Sequence, residues 1–223
     1  DWSSDVCSSD LYMSLEGKNK KPFSYINKEV MNKNFQNKDF NKTSSYHSNF
    51  SHSIFENTSF LSAKFKWSSL YQVTFKNCTI TGAHFKKCNF ENSIFEGCLI
   101  RGSVFENCKM EGASFKNCYM DLSQFKKYPN LIFSDCYDKP LTKEMFSQEL
   151  LDTVESLRNN DFIRRSMVLL IKNKKINLLA LKKLVDAFGE DLLIKNLPII
   201  QNIIKNQFYT LSYLEKILSD LRT

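Results

Sequence analysis

The chain has 223 residues and a formal net charge of +7, and 42% of its residues are hydrophobic while 25% are charged. The positive charge argues against a protein that imitates duplex DNA, because such a mimic needs a negative field. No membrane-spanning helix is predicted either. The apolar run at residues 167–171 ends at a lysine-rich segment and is far shorter than the ~20 residues that a bilayer requires.

The first eleven residues are not expected to contribute to the fold. They resemble a translated sequencing adapter and lack the basic and apolar regions of a signal peptide, so we expect the natural chain to start at Met13. Residues 14–33 carry three lysines followed by apolar residues at helical spacing from Phe23 to Met31. Lysines beside a terminus are usually solvated rather than bound to nucleic acid or membrane. We predict a tail and cap over residues 1–33, with a short helix as an N-terminal plug.

A five-residue period runs from residue 34 to about residue 128. Phe, Leu, Ile or Met occupies every fifth position from Phe50 to Phe125. A helix would need apolar spacings of three and four, and a flat strand a spacing of two, so the chain must turn at every unit. The pattern is imperfect at its start, where Lys33 and Lys38 replace small residues and Ser45 replaces a large one. The first coils should therefore be looser than the later ones.

Two other positions of each five-residue unit are also restricted. The residue two before the large one is Ser, Thr, Ala or Cys in nearly every copy. The residue two after it is often Asn or Gly, which tolerate the positive φ angles of tight corners. The pattern predicts large side chains along an axis, small ones at the inner corners and polar ones in solvent.

This pattern resembles the pentapeptide-repeat family, most clearly in residues 75–84 and the four variants that follow. The resemblance implies a right-handed, four-sided β-helix in which five residues form one side and twenty form one coil. Residues 34–128 would make about five coils, in a rod on the order of 24 Å long. Every twentieth residue should then stack. The predicted ring columns are Phe35, Phe55, Phe75, Phe95 and Phe115, and Phe65, Phe85, Phe105 and Phe125.

The cysteines and histidines do not form a recognisable catalytic, cofactor or metal site. Successive repeat cysteines are ten residues apart, which matches no common metal-ligand spacing. Stacked cysteines would be close enough for a disulfide, but Ala and Ser fill the same positions, so buried free thiols are favoured, as in a reducing cytoplasm. We assign no role to His47, His52 or His84. The sequence predicts a protein without a cofactor that is not an enzyme.

Exposed positions of the repeat indicate how the rod meets other molecules. Glu56, Lys76, Glu96 and Lys116 follow one another along one side, so that side is not a continuous acidic surface. Basic and acidic residues are interspersed in the sequence, which argues against nucleic-acid binding. The apolar residues at outward positions are a candidate protein-binding patch, because exposed aromatic residues are enriched at interfaces. These residues are Leu61, Trp67 and Tyr71.

The repeat pattern ends at Tyr128 and Pro129, and the segment 129–140 is predicted to be a linker, with Cys136 out of register. From residue 141 to 223 the spacing of Leu and Ile predicts an all-helical domain of four to six short helices. Asp161 and Asn177 are candidate N-caps. This domain could cover the last coil and form a homodimer, or it could dock a second protein.

We therefore expect a cytoplasmic bacterial scaffold that binds another protein. Two alternatives remain open at this point. One is a protein directed at DNA gyrase or a topoisomerase, which is the best-known class in the family but one that uses a DNA-like negative charge. The other is a secreted effector delivered to a host cell.

Overall fold

The computed structural model describes residues 24–222. The chain divides into two compact units, with the boundary between Tyr137 and Asp138. The first unit is a β-solenoid, as the sequence predicts, but it has about six turns over residues 24–134 rather than about five over residues 34–128. The second unit is mainly helical.

Short parallel strands form three sides of the solenoid. Side 1 is built from β1 (Ser24–Ile26), β3 (Ser44–Tyr46), β5 (Lys64–Lys66), β8 (His84–Lys86) and β11 (Val104–Glu106). Side 3 is built from β2 (Asn34–Gln36), β4 (Ile54–Glu56), β6 (Thr74–Lys76), β9 (Ile94–Glu96), β12 (Ser114–Lys116) and β14 (Ile132–Ser134). Side 4 contains β7 (Thr79–Thr81), β10 (Leu99–Arg101) and β13 (Tyr119–Met120). Side 2 is connected by single bridges such as Asn49 to Ser69.

The predicted twenty-residue coil is confirmed by the strand register. Phe55 pairs with Phe75 and Phe75 with Phe95, each one coil further along the chain. Backbone groups also bond from coil to coil at the corners, as in the 2.9 Å bond from the N–H of Asn57 to the carbonyl of Lys76. The N–H and C=O groups of the main chain therefore find hydrogen-bond partners although the strands are short.

The corners have the positive φ angles that the Asn and Gly positions predict. Asn57, Asn77 and Gly97 have φ angles of 50°, 52° and 62°. The same angle occurs at corner residues that do not favour it, including Lys42 and Trp67. The geometry of the coil therefore sets the backbone angle at every corner, and Asn and Gly adopt it at the lowest cost.

Aromatic rings fill the axis in the predicted columns. Phe95 is fully buried and stacks between Phe75 and Phe115, with both centroid separations 4.6 Å and both interplanar angles 6°. In the second column the centroids of Phe85 and Phe105 are 5.0 Å apart. Such stacking adds to the free energy gained from burying the rings.

The small inner-corner residues also act as hydrogen-bond donors. The Oγ of Ser53 donates to the carbonyl oxygen of Val30 at 3.0 Å, and the Sγ of Cys78 donates to that of Phe55 at 3.2 Å. Where Tyr128 replaces a small residue, its hydroxyl makes the equivalent bond to the carbonyl oxygen of Phe105 at 2.5 Å. Cys, Ser and Thr are therefore interchangeable in this bond because each supplies one short donor.

The solenoid begins earlier than predicted. The short helix expected between Phe23 and Met31 is wrong where the structure describes it, because Ser24–Ile26 is a strand paired with Ser44–Tyr46. Tyr25 and Val30 point inward and are 2% and 3% exposed. The first part of the expected tail and cap, including the adapter-like segment, lies outside the described residues.

The solenoid also continues past residue 128, so the predicted linker over residues 129–140 is wrong for most of its length. A 3₁₀ turn, Leu122–Phe125, replaces one side, and Ile132–Ser134 then pairs with Ser114–Lys116. Phe133 is the partner of Phe115, although it follows it by eighteen residues rather than twenty. Cys136 is accordingly in structural register, and its Sγ donates to the carbonyl oxygen of Phe115 at 3.4 Å.

The second unit contains five α-helices within residues 138–222. They are α1 (Gln148–Ser156), α2 (Asp161–Ser166), α3 (Leu178–Phe188), α4 (Glu190–Ile203) and α5 (Leu211–Asp220). The predicted cap at Asn177 is confirmed, since its side chain accepts from the N–H of Ala180. The predicted cap at Asp161 is wrong, because the side chain of Asn160 accepts from the first N–H groups of α2.

The second unit is not entirely helical. Helix α2 ends at Ser166, and the next residue, Met167, has a φ of 59°. The chain then forms an antiparallel pair, β15 (Leu170–Ile171) and β16 (Lys175–Ile176). The apolar run that contains Leu169 and Leu170 is buried, as predicted for a core segment. Within residues 24–222, no helix has the length and apolar character needed to cross a bilayer.

Candidate functional site

The structure places the three residues of the predicted patch on different parts of the solenoid. Leu61 follows side 4, Trp67 lies at the corner between sides 1 and 2, and Tyr71 follows side 2. Trp67 is 38% exposed, whereas Leu61 and Tyr71 are half-buried. No ring contact joins Trp67 to Tyr71 among those found in the described residues, so the patch remains a prediction in which Trp67 is the most accessible member.

Trp67 belongs to an aromatic cluster that the sequence analysis did not identify. The ring of His47 stacks on its indole at 5.4 Å with an interplanar angle of 11°, and the ring of Tyr46 contacts it edge-on at 4.9 Å. We call Tyr46, His47 and Trp67 the aromatic corner. It arises because residues 47 and 67 occupy the same corner on successive coils.

A lysine covers the other side of the same indole. The Nζ of Lys87 lies 5.6 Å from the centroid of the Trp67 ring, within the range of a cation–π interaction. Residues 47, 67 and 87 follow one another along the solenoid axis, so His47 and Lys87 lie on opposite faces of the ring. The exposed part of Trp67 is therefore mainly its edge.

Lysines are concentrated on side 1 beside the aromatic corner. Lys66 and Lys86 are register partners on adjacent strands, and Lys64 is the register partner of His84. Lys64 and Lys87 are exposed, and Lys66 and Lys86 are partly exposed. We call Lys64, Lys66, Lys86 and Lys87 the basic face.

One acidic residue, Glu106, lies at the end of the basic face. Its carboxylate is 2.6 Å from the Nζ of Lys86 and 3.0 Å from the Nε2 of His84. Hydrogen bonds lower the pKa of the Glu106 carboxyl below its ordinary value, and the bond from Lys86 has a larger effect than the bond from His84. Within the described residues, Lys64 and Lys66 have no ion-pair partner, so the basic face keeps most of its positive charge.

Side 3 has a different charge pattern. Glu56, Lys76, Glu96 and Lys116 are successive register partners, so opposite charges alternate along this side as predicted. Basic and acidic residues therefore alternate on side 3, whereas on side 1 the lysines of β5 and β8 are adjacent and Glu106 follows only on β11. The same twenty-residue spacing, applied to residues 66 and 86, would have placed these lysines side by side on side 1.

The six cysteines within residues 24–222 lie in the inner-corner columns, and none of these six forms a disulfide. Cys78, Cys88, Cys98, Cys108 and Cys118 are buried free thiols, and Cys136 is partly exposed. Burial raises the pKa of the Cys98 thiol well above its ordinary value. Within residues 24–222, no group of three or more His, Cys, Asp or Glu side chains is arranged to hold a metal ion.

Comparisons with known proteins identify the repeat. A family model described as pentapeptide repeat region matches residues 29–103 and 68–137. No curated protein matches the chain.

Several solved pentapeptide-repeat structures are similar to part of the chain. A thylakoid-lumen protein of Arabidopsis thaliana is 20% identical, covers 47% of this chain and 72% of its own, and has a TM-score of 0.44. Rfr23 of the cyanobacterium Cyanothece 51142 is 11% identical, with coverages of 57% and 99% and a TM-score of 0.30. QnrB1, a plasmid-mediated fluoroquinolone resistance protein, is 12% identical, with coverages of 51% and 79% and a TM-score of 0.23. These similarities carry no conclusion about activity or partners. On the repeat pattern, the coil register and the family match together, residues 29–137 belong to the pentapeptide-repeat family.

Proposed function

We propose that this chain is a non-catalytic scaffold that binds another protein through the outside of its solenoid. The observation that carries the proposal is the aromatic corner, where Trp67 and Tyr46 are 38% and 40% exposed beside the basic face. Large aromatic residues are enriched at protein interfaces and are frequent energetic hot spots. The rigid, parallel coils support the proposal because they would hold these side chains in place without a cost of ordering on binding.

A second observation in support is that the inward and outward residues of each coil have different roles. Large residues such as Phe95 fill the axis and small ones such as Cys98 bond to the preceding coil, so both are committed to the fold. Outward residues such as Lys66 have no comparable packing role. The exterior can therefore carry recognition residues without loss of stability.

Affinity capture with mass spectrometry tests this proposal, using a chain that begins at Met13. Three baits are compared: the unchanged chain, Trp67→Ala, and the control Gln72→Ala. Gln72 is an exposed corner residue with a φ of 52°, close to the 50° of Trp67, so both changes remove a side chain from the same backbone geometry.

We expect at least one protein to be retained by the unchanged chain and by Gln72→Ala, and to be lost or strongly reduced with Trp67→Ala. Capture of no protein by any bait would reject the scaffold. Equal capture by all three baits would reject the aromatic corner as the binding site.

The alternatives that the sequence raised have less support. A gyrase- or topoisomerase-directed protein of the DNA-mimicking kind needs a negative field, whereas side 1 is basic and side 3 alternates in charge. A supercoiling assay with and without a quinolone would detect such a role. Cytoplasmic location, a secreted effector role and dimerisation through the helical unit stay predictions.

A further inference from the structure

We propose that the basic face together with the aromatic corner is the docking site for an acidic segment of a partner protein. This assignment depends on the scaffold function proposed above and specifies the chemistry of the partner. It follows from the charge of side 1, from the unpaired lysines on it and from the way both faces of Trp67 are occupied.

The concentration of lysines on side 1 favours an acidic partner. Lys66 and Lys86 are in register on adjacent parallel strands, where like charges repel and destabilise the sheet. Glu106 pairs with Lys86 and His84, but Lys64 and Lys66 have no ion pair in the part of the chain that the structure describes. A row of partner carboxylates would relieve this repulsion, and complementary charge would favour both specificity and rapid association.

The environment of the Trp67 indole favours an acidic protein over a nucleic acid. Proteins that bind single-stranded nucleic acid commonly stack bases on an open aromatic face. His47 and Lys87 cover the two faces of the Trp67 indole, so a base could stack there only by displacing one of them. The exposed edge of the indole remains suited to apolar side chains of a protein, with the lysines around it.

The shape of side 1 suits an extended partner segment. Side 1 consists of parallel strands of three residues each, so its outward side chains form straight rows along the solenoid axis. Lys64 and Lys66 lie on the same strand on either side of the inward Phe65. An extended segment with acidic and apolar residues could therefore meet both the lysine rows and the aromatic corner at once.

The test compares two labelled probes of matched length, poly-L-glutamate and single-stranded oligothymidylate, in binding titrations with the full chain. The double variant Lys64→Gln/Lys66→Gln removes two charges from the basic face. The control Lys76→Gln/Lys116→Gln removes two charges from side 3, so the two proteins have the same net charge. Fluorescence of Trp67 in a Trp2→Phe background reports whether the probe binds near the aromatic corner.

We expect poly-L-glutamate to bind and to change Trp67 fluorescence, with an affinity reduced about tenfold by Lys64→Gln/Lys66→Gln and less than about twofold by the side 3 control. Equal losses in the two variants, or no binding of poly-L-glutamate, would overturn the acidic docking site. Tighter binding of oligothymidylate, sensitive to the same lysines, would overturn it in favour of a nucleic acid. The scaffold proposal fails separately, if affinity capture retains no protein even though poly-L-glutamate binds.

Discussion

Replacing Phe95 by Ala should destabilise the solenoid more than almost any other single side-chain truncation. The ring is fully buried and lies between two parallel rings at 4.6 Å. Removing a buried Phe typically costs about 3–5 kcal/mol, and each stacked pair contributes about 0.5–1.5 kcal/mol beyond burial. Because Phe95 loses two such pairs, we expect a loss near the upper end, about 5 kcal/mol in the free energy of unfolding.

Two other substitutions make this prediction specific. Phe133 lies at the end of the same column, is 39% exposed and stacks on Phe115 at 5.2 Å, so Phe133→Ala should cost only about 1–2 kcal/mol. Glu96 is the outward neighbour of Phe95 on the same strand, and Glu96→Ala should change stability by less than about 0.5 kcal/mol.

Urea unfolding followed by tryptophan fluorescence measures these differences. The chain has two tryptophans, Trp2 and Trp67. A Trp2→Phe background therefore leaves Trp67, on the outside of the solenoid, as the single fluorescent reporter. The helical unit contains no tryptophan, and its unfolding does not enter the signal. Similar losses for Phe95→Ala and Glu96→Ala, or for Phe95→Ala and Phe133→Ala, would refute the axial column of rings.

Two further predictions concern the pKa of the Asp39 carboxyl and the accessibility of the cysteine thiols. Burial raises the pKa of Asp39 to about 6, although its carboxylate accepts a 2.8 Å hydrogen bond from the N–H of Asn41. The folded state therefore holds its proton to higher pH than the unfolded state, and stability falls as the pH rises from about 4 to about 6. Asp39→Asn should raise the free energy of unfolding by about 3 kcal/mol at pH 8 and by little at pH 4 in urea titrations. A gain independent of pH would contradict this reasoning. In a Cys7→Ser background, iodoacetamide should label Cys136 in the native protein and label Cys98 only after denaturation, and equal labelling rates measured by mass spectrometry would contradict the burial of the thiol columns.

The sequence predicts the middle of the solenoid well because the five-residue pattern is local. Each unit carries its own large residue, its small donor and its corner residue. The first coil was missed because Lys28 and Lys33 occupy positions where later coils have small donors, and that concealed the inward Tyr25 and Val30. The backbone N–H groups of these lysines instead donate to the hydroxyls of Ser48 and Ser53 in the next coil.

The last coil was missed for a different reason. The 3₁₀ turn at Leu122–Phe125 shortens that coil to eighteen residues, so counting by fives fails at Phe133 and Cys136. The sequence alone does not reveal the ladder there, because the residues pair by position in the coil rather than by a fixed separation in sequence.

The candidate site was predicted in part. Trp67 was identified because an aromatic residue stood at an outward position. Its partners His47 and Lys87 lie twenty residues away on either side and could have been found by the same stacking arithmetic that predicted the ring columns. Tyr46 contacts the indole from the adjacent strand, and that contact depends on side-chain orientation that the sequence does not specify.

Disulfide cross-linking across one coil is the most direct test of the four-sided architecture on which every proposal above depends. In a Cys7→Ser/Cys136→Ser background, Lys66→Cys/Lys86→Cys places two cysteines on register partners of side 1. The backbones of adjacent strands are about 4.8 Å apart, which is within the Cα···Cα range of disulfides. Lys66→Cys/Lys76→Cys places them on sides 1 and 3, across the filled axis. Mild oxidation followed by non-reducing peptide mass analysis should show the 66–86 disulfide and none between residues 66 and 76 within one chain. Formation of the 66–76 disulfide, or failure of the 66–86 pair to form, would contradict the twenty-residue coil.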